Sequence, residues 1–211
     1  MIDMMTTVSL VRHGLVHNPT QIYYGRLPGF SLAETGRAQA AAAGHYLAGR
    51  SVEAIYCSPM QRAVETAQII RAQFPTPAPL AECALLNEIH SAYDGQTVEE
   101  MERRDWDFYA LATPPHEQPA DVLNRILQFF DFARRKYPGQ PIVGVSHADP
   151  IAFAIMWAND PALLPAARKE LADCGVTDNY PAPASVSTFL FDSGSNLHVL
   201  RYTYNCPWAE G

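Results

Sequence analysis

Three short apolar, β-rich segments constrain this chain more than any other feature, because each is followed by a helix-forming stretch. Thr7-Val-Ser-Leu-Val11, Val52-Glu-Ala-Ile-Tyr-Cys57 and Pro141-Ile-Val-Gly-Val-Ser146 read as buried strands. Strands alternating with helices are the pattern of a parallel sheet covered on both faces. Two further strands are expected near the C-terminal end, Ser185 to Phe191 and Leu197 to Tyr204, with Asp192-Ser-Gly-Ser-Asn196 as their hairpin turn. The fold class that follows is α/β, a three-layer α/β/α sandwich with a mainly parallel mixed sheet. No repeat, low-complexity tract or linker divides the chain, so residues 1–211 are expected to form one domain.

Helix boundaries follow from local signals. Ser31-x-x-Glu34 has capping-box spacing and predicts an Ala-rich helix to about Gly49. Ser58-Pro59 predicts a helix start, with Ser58 at the N-cap and Pro59 at the first helical position, running to about Phe74. Pro75, Pro77 and Pro79 then force extended chain. Thr97-x-x-Glu100 predicts a helix of about a dozen residues, ended by Pro114 and Pro115. Further helices are expected over Pro119 to Tyr137, Pro150 to Ala158 and Ala162 to Asp173.

In such sheets ligands bind beyond the carboxyl ends of the strands. Here the first strand delivers Arg12 and His13, the second Ser58 and then Arg62, and the third Ser146 and His147. Taken singly, each has an ordinary structural reading; two arginines and two histidines at one mouth point to chemistry on an anion. Arginine forks match phosphate oxygens. Helix N-termini near Ser58 and Ala148 would present N–H groups to the same place. A neutral imidazole is a nucleophile toward phosphorus, and neighbouring cations favour the neutral form. A second imidazole can donate to oxygens that gain charge in the transition state. A leaving alkoxide needs a proton, for which Glu88 is the first candidate and Asp149 the second. Arg103-Arg104 reads as a solvated helix face. His17, His45, His90, His116 and His198 show no metal-ligand spacing, so no metal site is expected.

The global charge bears on partners. The formal net charge is −7 with no basic run, which disfavours nucleic acid and anionic membranes and requires any phosphate site to be locally positive. Cys57, Cys83, Cys174 and Cys206 form no paired motif and read as reduced thiols of a cytoplasmic protein. No apolar run reaches membrane-spanning length, and Met1 to Thr7 lacks the features of a signal peptide. Met4 or Met5 would serve equally as a start.

At these residues the sequence resembles the histidine phosphatase superfamily, the phosphoglycerate-mutase-like proteins. Leu10-Val-Arg-His-Gly14 is similar to the signature whose histidine becomes phosphorylated. Tyr56-Cys-Ser-Pro-Met-Gln-Arg-Ala-Val-Glu-Thr-Ala67 is similar to the second motif, in which Arg62 matches the phosphate-binding arginine. Leu86-Asn-Glu88 matches the region of the acidic proton donor, and Val143-Gly-Val-Ser-His147 the motif of the second histidine. Asn18 resembles a phosphate-contacting asparagine, one residue early in spacing. Gly25-Arg-Leu-Pro-Gly-Phe-Ser-Leu-Ala-Glu-Thr-Gly36 looks like the family's segment leading into the first helix. Leu15 and the Ala148-Asp149 pair depart from the pattern. An acid just after the second histidine serves as donor in another branch, which is why Asp149 competes with Glu88.

The resemblance implies a phosphatase acting on small phosphate monoesters through a phosphohistidine on His13, with Glu88 as proton donor. Arg12, Arg62 and His147 would be catalytic, and Asn18 and Ala148 substrate-binding. No metal or organic cofactor is implied. A phosphoglycerate mutase is the alternative; the compact stretch from Gly95 to Ile142 disfavours it. A non-enzymatic phosphate binder is less consistent with an intact nucleophile. Selectivity is expected from Leu15 to Phe30 and Glu88 to Pro119; the sequence names no particular ester, and it leaves a homo-oligomer open.

Overall fold

The computed structural model describes residues 5–159, 165–192 and 197–209. Its centre is a six-stranded sheet in the order β3-β2-β4-β1-β5-β6. The strands are β1 (Thr6–Arg12), β2 (Ala54–Cys57), β3 (Leu80–Glu82), β4 (Pro141–Ser146), β5 (Val186–Phe191) and β6 (Val199–Asn205). The β3-β2, β2-β4 and β4-β1 pairs are parallel, and β1-β5 and β5-β6 are antiparallel. The sheet is therefore mixed and mainly parallel, as expected. β1 and β4 run in register from Thr7 opposite Pro141 to Arg12 opposite Ser146. That register puts the exits of the two histidine-bearing strands side by side.

Period-two alternation makes the sheet two-faced. Val8, Leu10, Ala54, Tyr56 and Ile142 face one apolar cluster, and Val11, Ile55, Cys57, Val143 and Val145 face the other. Helices α1 (Glu34–Ala48) and α2 (Gln61–Ala72) cover the second face. Helices α4 (Pro119–Lys136) and α5 (Ala148–Asn159) cover the first. On α4 the buried stripe is Val122, Ile126, Phe129, Phe130 and Ala133, the spacing of one helix face. Each large apolar side chain buried this way contributes about 1.5–3 kcal/mol. Gly144 lets Phe129 reach the sheet, since a Cβ there would lie 2.9 Å from the phenyl ring. Among the described residues no helix is long and apolar enough to cross a membrane.

Several boundaries differ from the sequence reading, each for a tertiary reason. Ser31 does not cap α1; Ala33 holds the N-cap position. The Ser31 carbonyl instead accepts from the His17 amide, and Leu32 bridges Val16, so this stretch is extended. Ser58 does not cap α2, whose N-cap is Met60. The capping box of Thr97 and Glu100 is present, but its helix, α3 (Val98–Arg103), is short and ends before Asp105 and Trp106, which both adopt positive φ. It stops well before Pro114. Pro150 lies inside the first turn of α5, where its missing N–H is not needed. The extended chain after Pro79 is a true edge strand, β3. Instead of one helix to Asp173, residues 165–169 and 172–174 form short 3₁₀ turns. Residues 162–164 of that expected helix, and 193–196 of the expected hairpin turn, lie outside the described residues.

Candidate active site

The turn that leaves β1 is held tightly. The His13 amide donates to the Ser146 carbonyl at 3.0 Å and so extends the β1-β4 ladder by one rung. The Gly14 amide donates to Thr66 Oγ1 and the Leu15 amide to Gln39 Oε1, both at 3.1 Å. Gly14 and Gly36 meet backbone to backbone: a Cβ on Gly14 would lie 2.3 Å from the Gly36 carbonyl oxygen. Both glycines are thus needed for α1 to press against this turn.

His13 is 2% exposed. Its Nδ1 lies 2.8 Å from the Gly14 carbonyl oxygen, which can only accept. Nδ1 therefore carries the hydrogen, and Nε2 keeps its lone pair. Burial holds its pKa well below the ordinary histidine value, and the nearby Arg62 and Arg12 lower it further. The ring is neutral at pH 7 and nucleophilic at Nε2.

The His147 ring centroid is 5.1 Å from that of His13. One Nη2 hydrogen of Arg62 points to His147 Nδ1 at 3.1 Å, so Nδ1 is the acceptor. His147 Nε2–H then donates to Ser58 Oγ at 2.9 Å, and Ser58 donates to Asn87 Oδ1 at 3.0 Å. Arg62, which can only donate, thus sets the histidine tautomer, and Ser58 accepts the remaining ring N–H. Burial, then Arg62, holds His147 well below the ordinary histidine pKa.

Arg62 is 1% exposed. Its Nη2 donates to the Gly25 carbonyl at 2.7 Å, and its guanidinium lies 4.7 Å from the Tyr24 ring centre. Arg12 Nη1 donates to the Pro181 carbonyl at 2.6 Å, and its guanidinium lies 5.6 Å from the Tyr180 ring centre. The Nε of each arginine is buried with no hydrogen-bond partner. Among the described residues neither arginine pairs with a carboxylate within ion-pair distance, whereas Arg26, Arg125 and Arg168 do. Desolvated positive charge without a counter-ion is costly, and a bound anion would offset it.

Glu88 lies beside this pair, its Oε2 3.7 Å from His147 Nδ1. Its Oε1 accepts from the Ile89 amide at 2.9 Å. Burial pushes its pKa up to about 7, against the pull of Arg62. The carboxyl is therefore substantially protonated near neutrality. Asp149, the other sequence candidate, sits differently. It accepts from Tyr109 at 2.6 Å and from the Tyr180 hydroxyl, and Arg168 Nε lies 3.1 and 3.0 Å from its two oxygens. Its oxygens are occupied and its charge is neutralised.

Several of these groups line one cavity of about 380 Å³. Arg12, His13, Glu88, Ala148 and Asp149 line it, and His147, in contact with Arg62, packs against the His13 ring. Asn18 lines it too, but its amide is engaged within its own loop: Nδ2 donates to the Ile22 carbonyl at 2.8 Å. The expected selectivity segments supply Ile22, Tyr23 and Tyr24 from one and Ile89, Val98, Trp106 and Phe108 from the other. Sequence reasoning missed Arg168, Lys169 and Tyr180, which complete the wall. They follow no motif and arrive only through folding of the 165–192 segment. Among the described residues no three His, Cys, Asp or Glu side chains are grouped to hold a metal ion.

Comparison with known proteins bears on this geometry. The sequence profile of the histidine phosphatase superfamily (branch 1) matches residues 8–180. An uncharacterized protein of Mycobacterium tuberculosis is 37% identical over 209 residues, covering 97% of this chain and 98% of its own. Phosphoserine phosphatase 1 of Hydrogenobacter thermophilus is 32% identical over 156 residues, covering 70% of this chain and 73% of its own. Among solved structures, YhfR of Bacillus stearothermophilus superposes with a TM-score of 0.74 at 27% identity, over 92% of this chain and 95% of that one. The mycobacterial glucosyl-3-phosphoglycerate phosphatase shares the fold, with a TM-score of 0.73 at 23% identity, over 96% and 98% of the two chains. The match spans the strand exits that carry Arg12, His13, Arg62 and His147, and the chain belongs to the histidine phosphatase superfamily.

Proposed function

We propose that the chain is a metal-independent phosphatase that hydrolyses small phosphate monoesters through a phosphohistidine on His13. The observation that carries this reading is the pairing of a nucleophilic His13 Nε2 with two desolvated arginines that lack carboxylate partners. A phosphate dianion supplies the missing charge. Arg12 and Arg62 bind its oxygens, helped by the amide at Ala148 on the first turn of α5 and by the Asn18 Nδ2 hydrogen that the Ile22 carbonyl does not take.

His13 Nε2 attacks phosphorus, the P–O ester bond breaks, and the leaving oxygen takes the proton of Glu88. The bond from Nδ1–H to the Gly14 carbonyl stabilises the positive charge that develops on the ring. Water then attacks the phosphohistidine, gives its proton to the Glu88 carboxylate and releases phosphate. The dianion favours the imidazolium form of His147, which donates from Nδ1 as charge builds on the phosphoryl oxygens. The raised pKa of Glu88 suits a general acid, and the saturated environment of Asp149 supports Glu88 over it. That a 32% identical relative is named a phosphoserine phosphatase supports hydrolysis over isomerisation.

The test is chemical. Incubation with a ³²P-labelled monoester is expected to give acid-labile, alkali-stable label that is absent in His13→Ala. Full labelling and turnover in that variant would overturn the assignment. A parallel assay with 3-phosphoglycerate and its bisphosphate primer is expected to show phosphate release and no isomerisation.

A further inference from the structure

The wall of the cavity away from His13 has a composition of its own. Tyr23, Trp106 and Phe108 form a connected aromatic surface, with ring centres 4.7 Å apart for Tyr23 and Phe108 and 6.4 Å for Tyr23 and Trp106. Ile22, Ile89 and Val98 continue it. The charged residues that reach this end are already neutralised. Arg168 is paired with Asp149, and Lys169 with Asp105 at 2.8 Å.

Trp106 is presented by a backbone that costs energy to hold. Asp105 and Trp106 are consecutive non-glycine residues at φ 51 and 55. Such a pair persists only when its surroundings over-determine it. Here the surroundings are the 165–169 turn: Lys169 donates to the Asp105 carbonyl and Arg168 to the Trp106 carbonyl, both at 2.5 Å. Two cations from a distant segment thus brace the turn that aims an indole at the cavity. A fold that only needed to close this end would not require a strained turn bearing a half-buried Trp.

We propose that this aromatic wall is the binding subsite for the alcohol part of the substrate, and that it selects phosphate esters of uncharged, ring-bearing alcohols. The proposal rests on the phosphatase reading for the position of the phosphate. A cavity of about 380 Å³ is at the low end of the range that encloses an organic ligand, and holds more than a phosphate with a short stub. A ring gains by leaving water for the Trp106 and Phe108 faces. A carboxylate or ammonium would lose its hydration there and meet no unpaired charge, since Arg168 and Lys169 are already in ion pairs.

The test uses non-hydrolysable analogues, so that it reads binding without turnover. Calorimetry compares 3-phenylpropylphosphonate, propylphosphonate and L-2-amino-4-phosphonobutanoate, the phosphonate counterpart of phosphoserine. The phenyl compound is expected to bind at least about tenfold more tightly than either of the others. Trp106→Asn, which keeps a residue tolerant of positive φ, is expected to shrink that preference to below about threefold. Equal affinity for the phenyl and propyl compounds in the wild-type protein, or tighter binding of the amino acid analogue, would overturn the proposal even if the variant fails to fold. Propylphosphonate binding without gain from the ring sinks this proposal alone. Absence of binding by all three compounds sinks the phosphate reading with it.

Discussion

Arg26 Nε donates to the carbonyl oxygen of Glu88 at 2.8 Å, so the loop that follows His13 holds the loop that carries Glu88. Arg125 Nη2 reaches the same oxygen at 3.2 Å, and its Nη1 donates to the Leu85 carbonyl at 2.9 Å. Glu117 ties the two guanidiniums together, at 2.9 Å from Arg26 and 2.6 Å from Arg125, and accepts from the His90 amide at 2.7 Å. Burial opposes the ionisation of Glu117, but the arginines outweigh it and hold its carboxyl below the ordinary range.

This clamp predicts a leaving-group signature for Glu117→Gln. If Glu117 positions Glu88, the variant loses proton donation and keeps nucleophilic attack. Turnover of an alkyl phosphate is expected to fall about 10- to 100-fold, within the range that general acids contribute, while p-nitrophenyl phosphate changes only a few-fold. Equal losses on both esters would show a merely structural role.

If Glu88 is the proton donor, it also sets an alkaline limit. Its pKa of about 7 predicts that kcat/KM for an alkyl phosphate declines as pH rises through that value, because the donor loses its proton. The acid limb lies lower, where His13 protonates, well below the ordinary histidine value. Glu88→Gln is expected to remove the alkaline limb along with most of the rate. An unchanged limb in that variant would assign it to another group.

The same raised pKa carries a stability cost. Between the unfolded value of 4.5 and about 7 the unfolded chain gives up the Glu88 proton while the folded one keeps it, so stability falls as pH rises through this window. By linkage the loss reaches about 3 kcal/mol above pH 7. Glu88→Gln is therefore expected to raise Tm by several degrees at pH 8 and by much less at pH 5. Lower stability of the variant at pH 8 would contradict this.

Ser58→Ala removes the acceptor of His147 Nε2–H and leaves that N–H buried without a partner. The imidazolium form of His147, which donates from Nδ1 to the phosphoryl oxygens, then lacks an acceptor for its second N–H and is disfavoured. We expect kcat to fall about tenfold or more with the fold retained, consistent with about 1–3 kcal/mol for an unsatisfied buried group. Unchanged kcat would show that the Ser58 contact does not support the His147 imidazolium.

Gly36→Ala tests the turn that aims His13. A Gly-to-Ala change inside a helix ordinarily stabilises by about 0.5–1 kcal/mol. Here the new Cβ would lie 2.1 Å from the Leu15 carbonyl oxygen and 2.6 Å from its amide nitrogen, both backbone atoms that cannot move aside cheaply. The clash is expected to win, with a lower Tm by thermal melt and reduced turnover. A stabilised, fully active variant would show that α1 does not press on this turn.

Sequence alone determined the strand exits. Apolar runs of β-rich residues are local signals, so the placement of Arg12, His13 and His147 at adjacent strand ends was legible, as was α4 from its single apolar stripe. Folding decided what lies between residues far apart in the chain. Ser58 looks like a helix cap but serves His147, 89 positions away. Asp149 looks like a spare acid, yet Tyr109, Tyr180 and Arg168 consume its oxygens. The pKa of Glu88 and the aim of Trp106 likewise depend on burial and on partners from other segments. The physical reason is range: propensity and periodicity act over a few residues, whereas desolvation and hydrogen-bond competition are set by whichever groups packing brings together.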